Sequence, residues 1–344
     1  EERPRAPPCR CDGLIKKVDD MENKPKNYLN DEHLSIGTRE YLRVLNAGGR
    51  PVESLPVAEA RKVLADVQAA VEVDLSGIDE REREIVADGH ALTLHLVRPH
   101  GSRGRLPYFV FIHGGGWVLG DYSTHRRLVR DLVVESEVAA VFVDYTPSPE
   151  AKYPQAVDEI YAAVKWVAEN DAELDLDRRR MALVGNSAGG NMALAAALLA
   201  KKRHAPAVRA LVLLWPVTSA SSDWKSYALY GGERFLTAPL MKWMFGKYVS
   251  DPAQRGNDLM SPVRASAERL RGLPATLIVV AENDILRDEG EAMGRRLDEA
   301  GVEVTTVRFN GVVHDWGMLN GFARLAPTRD LILFAAAVLR HRLR

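Results

Sequence analysis

The chain has 344 residues, of which 46% are hydrophobic and 27% are charged, and its formal net charge is −1 at pH 7. These proportions are typical of a soluble globular protein with a sizeable core, arranged as one large α/β domain with insertions or as two domains. The near-neutral charge gives no reason to expect nucleic acid or an anionic membrane as a partner. We also expect no membrane-spanning helix, because no apolar run approaches about 18 residues.

The first twenty residues differ in composition from the rest of the chain. They are rich in Arg and Pro and contain both cysteines, Cys9 and Cys11. A lone C-x-C pair makes a poor metal site and gives no disulfide framework. The stretch also lacks the apolar core of a secretory signal. We therefore interpret residues 1–20 as a disordered tail or extension, and we expect a cytoplasmic protein that binds no metal.

Periodicity predicts the secondary structure of the remaining chain. Residues 21–80 have a helical pattern, with helix starts near Ser35 and Pro56. The segments Glu84–Ala87 and Leu92–Val97 then alternate around an Asp-Gly turn and predict an antiparallel hairpin. Short apolar runs that follow alternate with helical segments, so we predict an α/β fold with about eight strands, mostly parallel, and helices on both faces. The further strands are predicted at Tyr108–Ile112, Ala139–Val143, Met181–Val184, Ala210–Leu214, Thr276–Ala281 and Glu303–Phe309, and the helices at His125–Glu135, Gln155–Asn170, Ala188–Lys202, Asp288–Ala300 and Leu325–Arg342.

Residues 218–265 interrupt this alternation. They contain no clear strand, are rich in aromatic side chains and include a helical pattern at Ala238–Tyr248. A loop of that length in a compact domain is expected to form helices of its own. Such insertions lie beyond the carboxyl ends of the strands, where α/β folds bind ligands. Composition alone leaves two interpretations open, a substrate cap and a satellite hydrophobic cluster.

The sequence GNSAG at residues 185–189 is a G-x-S-x-G elbow between a strand pattern and a helix pattern. Glycines permit the tight turn, and its strained bend holds out the hydroxyl of Ser187. The following helix directs unpaired N–H groups and its positive dipole end toward the same point. Three fixed positions match by chance roughly 0.1 times in a chain of this length. The elbow therefore needs chemical partners elsewhere in the sequence.

Those partners follow the last two predicted strands. A serine hydroxyl needs a base to take its proton, and the base needs an orienting carboxylate. In the order Ser, acid, His, Asp284 follows the strand at 276–281 and His314 follows the strand at 303–309. His314 is assigned as the base because His204, the other candidate, lies at the far end of the helix after the elbow. Asp284 is the favoured acid, because Asp288 is better placed to cap the next helix. The other carboxylates nearby are Glu282, Asp288 and Asp315.

A glycine-rich loop, HGGGW at residues 113–117, follows the strand at 108–112. Successive glycines let N–H groups approach an oxyanion, and losing one such donor costs about 10²–10³ in rate. The N–H of Ala188, directly after the nucleophile, is the expected first donor and this loop the source of the second. The loop matches neither a P-loop nor G-x-G-x-x-G, which disfavours a phosphate site. We expect His113 to anchor the loop. The other histidines of this half are expected to be solvated: His90, His95, His100 and His125.

Taken in order, these motifs resemble the hormone-sensitive-lipase-like branch of the α/β-hydrolases (bacterial family IV type). The resemblance runs from about residue 84 to the C-terminus. The motifs that carry it are HGGGW at 113–117, Asp144-Tyr145, Pro149-Glu150, Tyr153-Pro154, GNSAGG at 185–190, DILRDE at 284–289 and HDW at 314–316.

The resemblance implies an α/β-hydrolase fold whose triad is Ser187, Asp284 and His314. It implies a helical cap made of residues 21–80 and 218–265 on a catalytic core of residues 81–217 and 266–344. Members of this branch are cofactor-free carboxylesterases for short acyl chains, and many are homodimers. The implied oxyanion donors are Gly115, Gly116 and Ala188.

Two positions depart from that family pattern. The second elbow residue is usually Asp or Thr, and here it is Asn186, which has the shape of Asp without its charge. We expect the mechanism to be unaffected. The block YTPSP at 145–149 replaces the common YRLAP form, and we have no physical account of that difference.

The sequence therefore predicts a serine carboxylesterase that hydrolyses small acetyl-type esters through an acyl-enzyme. The alternatives are an N-acyl amide hydrolase with the same triad and a non-catalytic ligand-binding protein on the same fold. Because His314 must be neutral to act as a base, we expect activity to fall below about pH 6.5. The side chains predicted to contact substrate are Trp117, Trp215, Tyr227 and Trp316.

Overall fold

The computed structural model describes residues 27–344, so the predicted tail at 1–20 lies outside the described residues. Within 27–344, eight strands form one sheet, as predicted. Their apolar runs explain why β3 to β6 are largely buried in the middle of that sheet. The strands are β1 (Ile78–Ala87), β2 (His90–Pro99), β3 (Leu106–Ile112), β4 (Ala139–Asp144), β5 (Leu176–Asn186), β6 (Ala210–Leu214), β7 (Ala275–Asn283) and β8 (Val304–Val313).

The strand order is β1-β2-β4-β3-β5-β6-β7-β8. The hairpin of β1 and β2 is antiparallel, as predicted, and β2 is also antiparallel to β4. That second antiparallel pairing was not predicted, because it joins strands that are distant in sequence. From β4 to β8 all neighbouring strands are parallel. Their carboxyl ends therefore meet at one edge of the sheet, where the chemically important loops emerge.

The helices lie close to their predicted positions. The helix that follows the elbow is buried from Ala188 to Ala200, because its small Ala and Gly residues allow neighbouring elements to pack closely. No helix within residues 27–344 is long and apolar enough to cross a bilayer. The helices are α1 (Ile36–Leu45), α2 (Val57–Ala69), α3 (Tyr122–Ser136), α4 (Gln155–Glu169), α5 (Ala188–Arg203), α6 (Lys225–Tyr230), α7 (Ala238–Tyr248), α8 (Ala267–Leu270), α9 (Arg287–Glu299) and α10 (Ala326–Arg342).

The segment before α1 is attached to both loops that end β7 and β8. Asn283 donates through Nδ2 to the carbonyl oxygen of His33, at 3.0 Å. The N–H of Ser35 donates to the carbonyl oxygen of Gly311, at 3.0 Å. Glu282 accepts from the Gly311 N–H at 2.8 Å and lies 3.2 Å from the His33 ring. Residues 33–35 thus connect the β7 loop to the β8 loop.

A buried ion pair joins this N-terminal segment to the insertion at 218–265. Asp31 Oδ2 lies 2.7 Å from a guanidinium nitrogen of Arg234, and their side chains are 2% and 1% exposed. The insertion also carries α7, where Tyr248 stacks on Trp117 at 4.5 Å between ring centroids. The two segments expected to form a cap therefore contact each other and the glycine-rich loop. The domain boundaries themselves remain a prediction.

Two histidines expected to be solvated are not. His125 is completely buried, because α3 turns His125, Leu128, Val129 and Leu132 toward the sheet with helical spacing. His95 on β2 is 13% exposed, stacks on Tyr122 at 4.0 Å and lies 2.7 Å from Asp144. The prediction was wrong for these two histidines, because Tyr122 of α3 covers the ring of His95 and His125 lies on the buried face of the same helix. His100 is exposed as predicted, and His90 is partly exposed.

Candidate active site

The elbow at residues 185–189 joins β5 directly to α5. Ser187 has φ 53° and ψ −122°, a backbone conformation that a residue with a side chain rarely adopts. A Cβ at Gly189 would lie 1.9 Å from the carbonyl oxygen of Ile112, so only glycine fits there. The Ser187 N–H donates to Leu214 at 2.9 Å and its carbonyl accepts from Val217 at 3.1 Å. The strained serine is therefore held on both sides by the chain around β6.

Ser187, His314 and Asp284 lie in one hydrogen-bonded row. His314 Nε2 is 3.0 Å from Ser187 Oγ, and His314 Nδ1 is 2.7 Å from Asp284 Oδ2. The three residues are 4%, 2% and 2% exposed. Because a carboxylate only accepts, Nδ1–H donates to Asp284, and Nε2 is left free to accept the serine proton. This is the arrangement that activates a serine for attack on a carbonyl.

The other carboxylates near Asp284 have different partners. Glu282 binds the Gly311 N–H and lies against His33. Asp288 accepts from the backbone N–H of Ser226 at 2.8 Å. Asp315 lies on the far side of the imidazole, with Oδ2 3.7 Å from His314 Nε2. Among these carboxylates, Asp284 is the one that orients the Nδ1 side of His314.

The glycine-rich loop lies against the elbow. Gly115 and Gly116 have φ values of +96° and +61°, which favour glycine. The N–H of Gly114 donates to Asn186 Oδ1 at 2.9 Å, which ties the loop to the residue before the nucleophile. Ala188 is the first residue of α5, so its N–H has no acceptor within the helix. Gly114 thus ties the loop to the elbow, and the role of Gly115, Gly116 and Ala188 in binding an oxyanion stays a prediction.

His113 holds the glycine-rich loop in place through its contacts with Gly114 and Tyr145. Its Nδ1 is 2.8 Å from the carbonyl oxygen of Gly114, so Nδ1 carries the proton and donates. The ring stacks on Tyr145 at 4.2 Å. Burial lowers the pKa of His113, although the charge of Asp144 opposes this. The contact of His113 with Gly114 agrees with the anchoring role expected from the sequence.

Comparison with known proteins places this geometry in a family. A family model for the α/β hydrolase fold matches residues 109–318. The chain belongs to the hormone-sensitive-lipase-like α/β-hydrolases. A thermostable esterase from Pseudomonas putida ECU1011 is 48% identical, with a TM-score of 0.90 over 92% of this chain and 99% of that one.

Curated relatives agree with the solved structure. An ethyl acetate hydrolase of Pseudomonas putida is 32% identical over 311 residues, which cover 88% of this chain and 97% of that protein. The carboxylesterase NlhH of Mycobacterium tuberculosis is 34% identical over 248 residues, covering 72% and 77% of the two chains. The fold class and the family predicted from the sequence are therefore confirmed.

The pKa of His314 differs from the value assumed in the sequence analysis. Burial disfavours the charged imidazole of His314, but the charges of Asp284 and then Asp315, with the hydrogen bond to Asp284, outweigh it. The pKa of His314 is therefore raised above its ordinary value of 6.5. The expected fall in activity moves accordingly to a pH above 6.5, because the base remains charged up to a higher pH.

The four aromatic residues expected to contact substrate are all buried. Trp215 and Trp316 pack against each other at 4.5 Å, beside the His314 loop. Trp215 also donates through Nε1 to Asp315 Oδ1 at 2.6 Å. Trp117 stacks on α7, and Tyr227 lies on α6 with 8% exposure. These contacts support the loops of the site, and contact with substrate stays a prediction for all four.

Sequence reasoning missed one buried carboxylate of the site. Glu289 in α9 is completely buried and accepts from the N–H groups of Thr218 (2.7 Å) and Ser219 (3.0 Å). Burial raises its pKa well above 4.5, against the effect of those two hydrogen bonds. Glu289 thus links the helix after Asp284 to the segment that binds the Ser187 carbonyl. The only signal in the sequence was its place in the DILRDE motif at 284–289.

Proposed function

We propose that Ser187, His314 and Asp284 are the catalytic residues of a serine carboxylesterase for short-chain acyl esters. The single observation that carries this assignment is the hydrogen-bonded row from Asp284 to Ser187, at 2.7 and 3.0 Å. As Ser187 Oγ bonds to the ester carbonyl carbon, its proton passes to His314 Nε2 and the carbonyl electron pair moves onto oxygen. His314 then gives that proton to the departing alkoxide, which leaves an acyl-enzyme.

Deacylation uses the same groups in reverse. Water gives a proton to His314 Nε2 and attacks the acyl carbon, and the ester bond to Ser187 breaks as Oγ regains the proton. In both halves the carbonyl oxygen becomes an oxyanion. We assign its hydrogen-bond donors to the N–H groups of Gly115, Gly116 and Ala188, with the positive end of α5 adding to their field.

A small acyl group suits the surroundings of Ser187. The nucleophile is 4% exposed, and Met244 from α7 contacts Gly116 of the loop. A long acyl chain would have to displace such buried side chains. The similarity to an ethyl acetate hydrolase supports the same preference. A homodimer and a cytoplasmic location remain predictions, which light scattering and cell fractionation would test.

The test uses 4-nitrophenyl esters from acetyl to dodecanoyl, with a matched acetanilide and a fluorophosphonate label. We expect the highest kcat/KM at short acyl lengths, faster hydrolysis of the ester than of the amide, and labelling at Ser187. Ser187→Ala should lose the label and roughly 10⁵–10⁶ of kcat. Ser136→Ala is the control, since that buried hydroxyl donates to the Leu132 carbonyl and accepts from the Val138 N–H at the end of α3, with no contact to the elbow. An unlabelled parent protein, or full activity in Ser187→Ala, would contradict the assignment.

A further inference from the structure

Asn186 connects two loops that are distant in sequence. Its Oδ1 accepts from the N–H of Gly114 at 2.9 Å, and its Nδ2 donates to Asp315 Oδ1 at 3.1 Å. The side chain is completely buried. Both contacts use the amide in its proper sense, because the oxygen faces a donor and the nitrogen faces a carboxylate. Asn186 thus fixes the distance between the glycine-rich loop and the loop that contains His314.

Asp315 is held in place by two donors. Trp215 Nε1 is 2.6 Å and Asn186 Nδ2 is 3.1 Å from the same oxygen, Oδ1. The other oxygen, Oδ2, lies 3.7 Å from His314 Nε2. Asp315 is 4% exposed, so little water screens its charge from the ring. The imidazole therefore has one carboxylate at each nitrogen: Asp284 at Nδ1 and Asp315 beside Nε2.

Few other ionisable groups face this pair among the described residues. Tyr41 of α1 is close to Asp315, and burial together with that charge raises the pKa of Tyr41 to about 12. The tyrosine is therefore uncharged at neutral pH. Glu289 and Tyr227 interact with Asp284 on the opposite side of the ring. Asp315 is thus the charge nearest the nitrogen that receives the serine proton.

We propose that Asp315 is a positioning residue that stabilises the charged form of His314 from its Nε2 side, and that Asn186 holds Asp315 there. The inference rests on the proposed function, in which His314 carries a positive charge each time it takes a proton. At 3.7 Å an anion favours that charged form. The amide at 186 donates to Asp315 at every pH, whereas a carboxylate there could do so only while it keeps a proton.

The first test removes the charge of Asp315 alone. In Asp315→Asn, we expect the pKa of His314, followed by the downfield Nδ1–H resonance in NMR, to fall by about one unit. The acid limb of kcat/KM for 4-nitrophenyl acetate should move to lower pH by the same amount, with kcat on the plateau lower by about threefold to tenfold. Asp171→Asn is the matched control, because Asp171 is buried but pairs with Arg105 at the other end of the strands.

The second test reverses the hydrogen bond between positions 186 and 315. In Asn186→Asp, two carboxylates would meet at about the separation of the present hydrogen bond and share one proton. As pH rises and that proton leaves, we expect kcat/KM to fall on an alkaline limb that the parent lacks. In the double variant Asn186→Asp/Asp315→Asn, the new amide donates to the new carboxylate. The alkaline limb should disappear, while the acid limb stays where Asp315→Asn put it.

The outcomes separate this inference from the proposed function. The NMR titration needs no substrate, so a shifted His314 pKa without ester hydrolysis would refute the esterase and leave the role of Asp315 intact. Ester hydrolysis with an unmoved His314 pKa and an unmoved acid limb in Asp315→Asn would overturn the role of Asp315. An alkaline limb that persists in the double variant would overturn the role of Asn186. Melting temperatures are measured for each variant, and the double variant replaces Asp315→Asn if that single variant does not fold. If Asn186→Asp does not fold, recovery of the fold in the double variant supports the same pairing, and no recovery contradicts it.

Discussion

Two carboxylates set the charge of His314, and both are within reach of the ring. Asp284 lies 2.7 Å from Nδ1 and Asp315 lies 3.7 Å from Nε2. Burial alone would lower the pKa of this histidine, as it does for His125, whose pKa is about 3. The two carboxylates therefore decide the direction of the shift: the pKa of His314 is raised, whereas the pKa of His125 is lowered.

The pH profile of the parent protein tests that direction. The charged imidazole cannot accept the proton of Ser187, and a raised pKa keeps it charged to a higher pH. We expect kcat/KM for 4-nitrophenyl acetate to fall as pH drops through a value above 6.5. Rates are measured from pH 5 to pH 9 in buffers of equal ionic strength. A profile that stays flat down to pH 5 would contradict the assignment of His314 as base.

Glu289 makes the free energy of unfolding depend on pH. Burial, aided by Asp284 and Asp288, raises its pKa well above 4.5, so the folded state keeps the proton to a higher pH than the unfolded chain does. The stability that comes from this proton is complete below pH 4.5 and is lost as pH rises from there toward the raised value. Glu289→Gln removes the titration, so unfolding free energies in urea should decline less than in the parent between pH 5 and pH 8.

The control for Glu289 is truncation. Glu289→Ala leaves the Thr218 and Ser219 N–H groups without their acceptor, which costs about 1–3 kcal/mol for each buried group. The glutamine variant keeps an acceptor and should be the more stable of the two at every pH. Equal destabilisation of the two variants at pH 8 would show that an ionised carboxylate is what this position requires.

At the level of elements, the loop of residues 113–117 is packed from two sides. A Cβ at Gly115 would lie 2.2 Å from the backbone oxygen of Leu119. At Gly116 it would lie 2.0 Å from Met244 Sδ, which belongs to a flexible side chain of α7. The first obstacle is rigid and the second can move. The two glycines should therefore respond differently to the same substitution.

We predict that Gly115→Ala destabilises the protein more than Gly116→Ala, and that Gly116→Ala costs less stability in a Met244→Ala background than in the parent. Each alanine pays about 1–2 kcal/mol for its left-handed backbone, and the clash adds to that. Urea unfolding measures both effects. Gly246→Ala in α7 is the control, since nothing lies within 4 Å of that Cβ, and it should be stabilising by about 0.5–1 kcal/mol. Met244→Ala without effect on Gly116→Ala would refute the packing argument.

The local pattern of apolar residues predicted the helices and strands well, but it predicted less well which of them lie side by side. The period of the apolar residues was enough for α7 and for the hairpin of β1 and β2. The β2–β4 pairing, the contact of Asn186 with Asp315 and the burial of His95 all join segments more than 40 residues apart. Nothing within one segment specifies such a contact. The elbow at residues 185–189, by contrast, could be predicted from the sequence, because its backbone strain is local and only a few residue types tolerate that backbone conformation.

The whole molecule depends on contacts between the N-terminal segment, the insertion and the core. Asp31→Ala would remove one buried carboxylate partner of the Arg234 guanidinium, and losing one partner of a buried pair costs about 3–5 kcal/mol. We expect a loss of this size in urea unfolding, accompanied by lower kcat/KM. Lys62→Ala breaks an exposed pair with Asp66 and should change stability by less than about 0.5 kcal/mol. Similar small losses for both would refute a structural role for the Asp31 pair.

The attachment of residues 33–35 has a consequence for engineering. These residues bind Asn283, which directly precedes Asp284, and Gly311, which lies three residues before His314. Trimming the chain through these residues would therefore release the two loops that hold the imidazole of His314. The position of the His314 imidazole thus depends in this chain on three residues that are more than 150 positions from Ser187 in sequence.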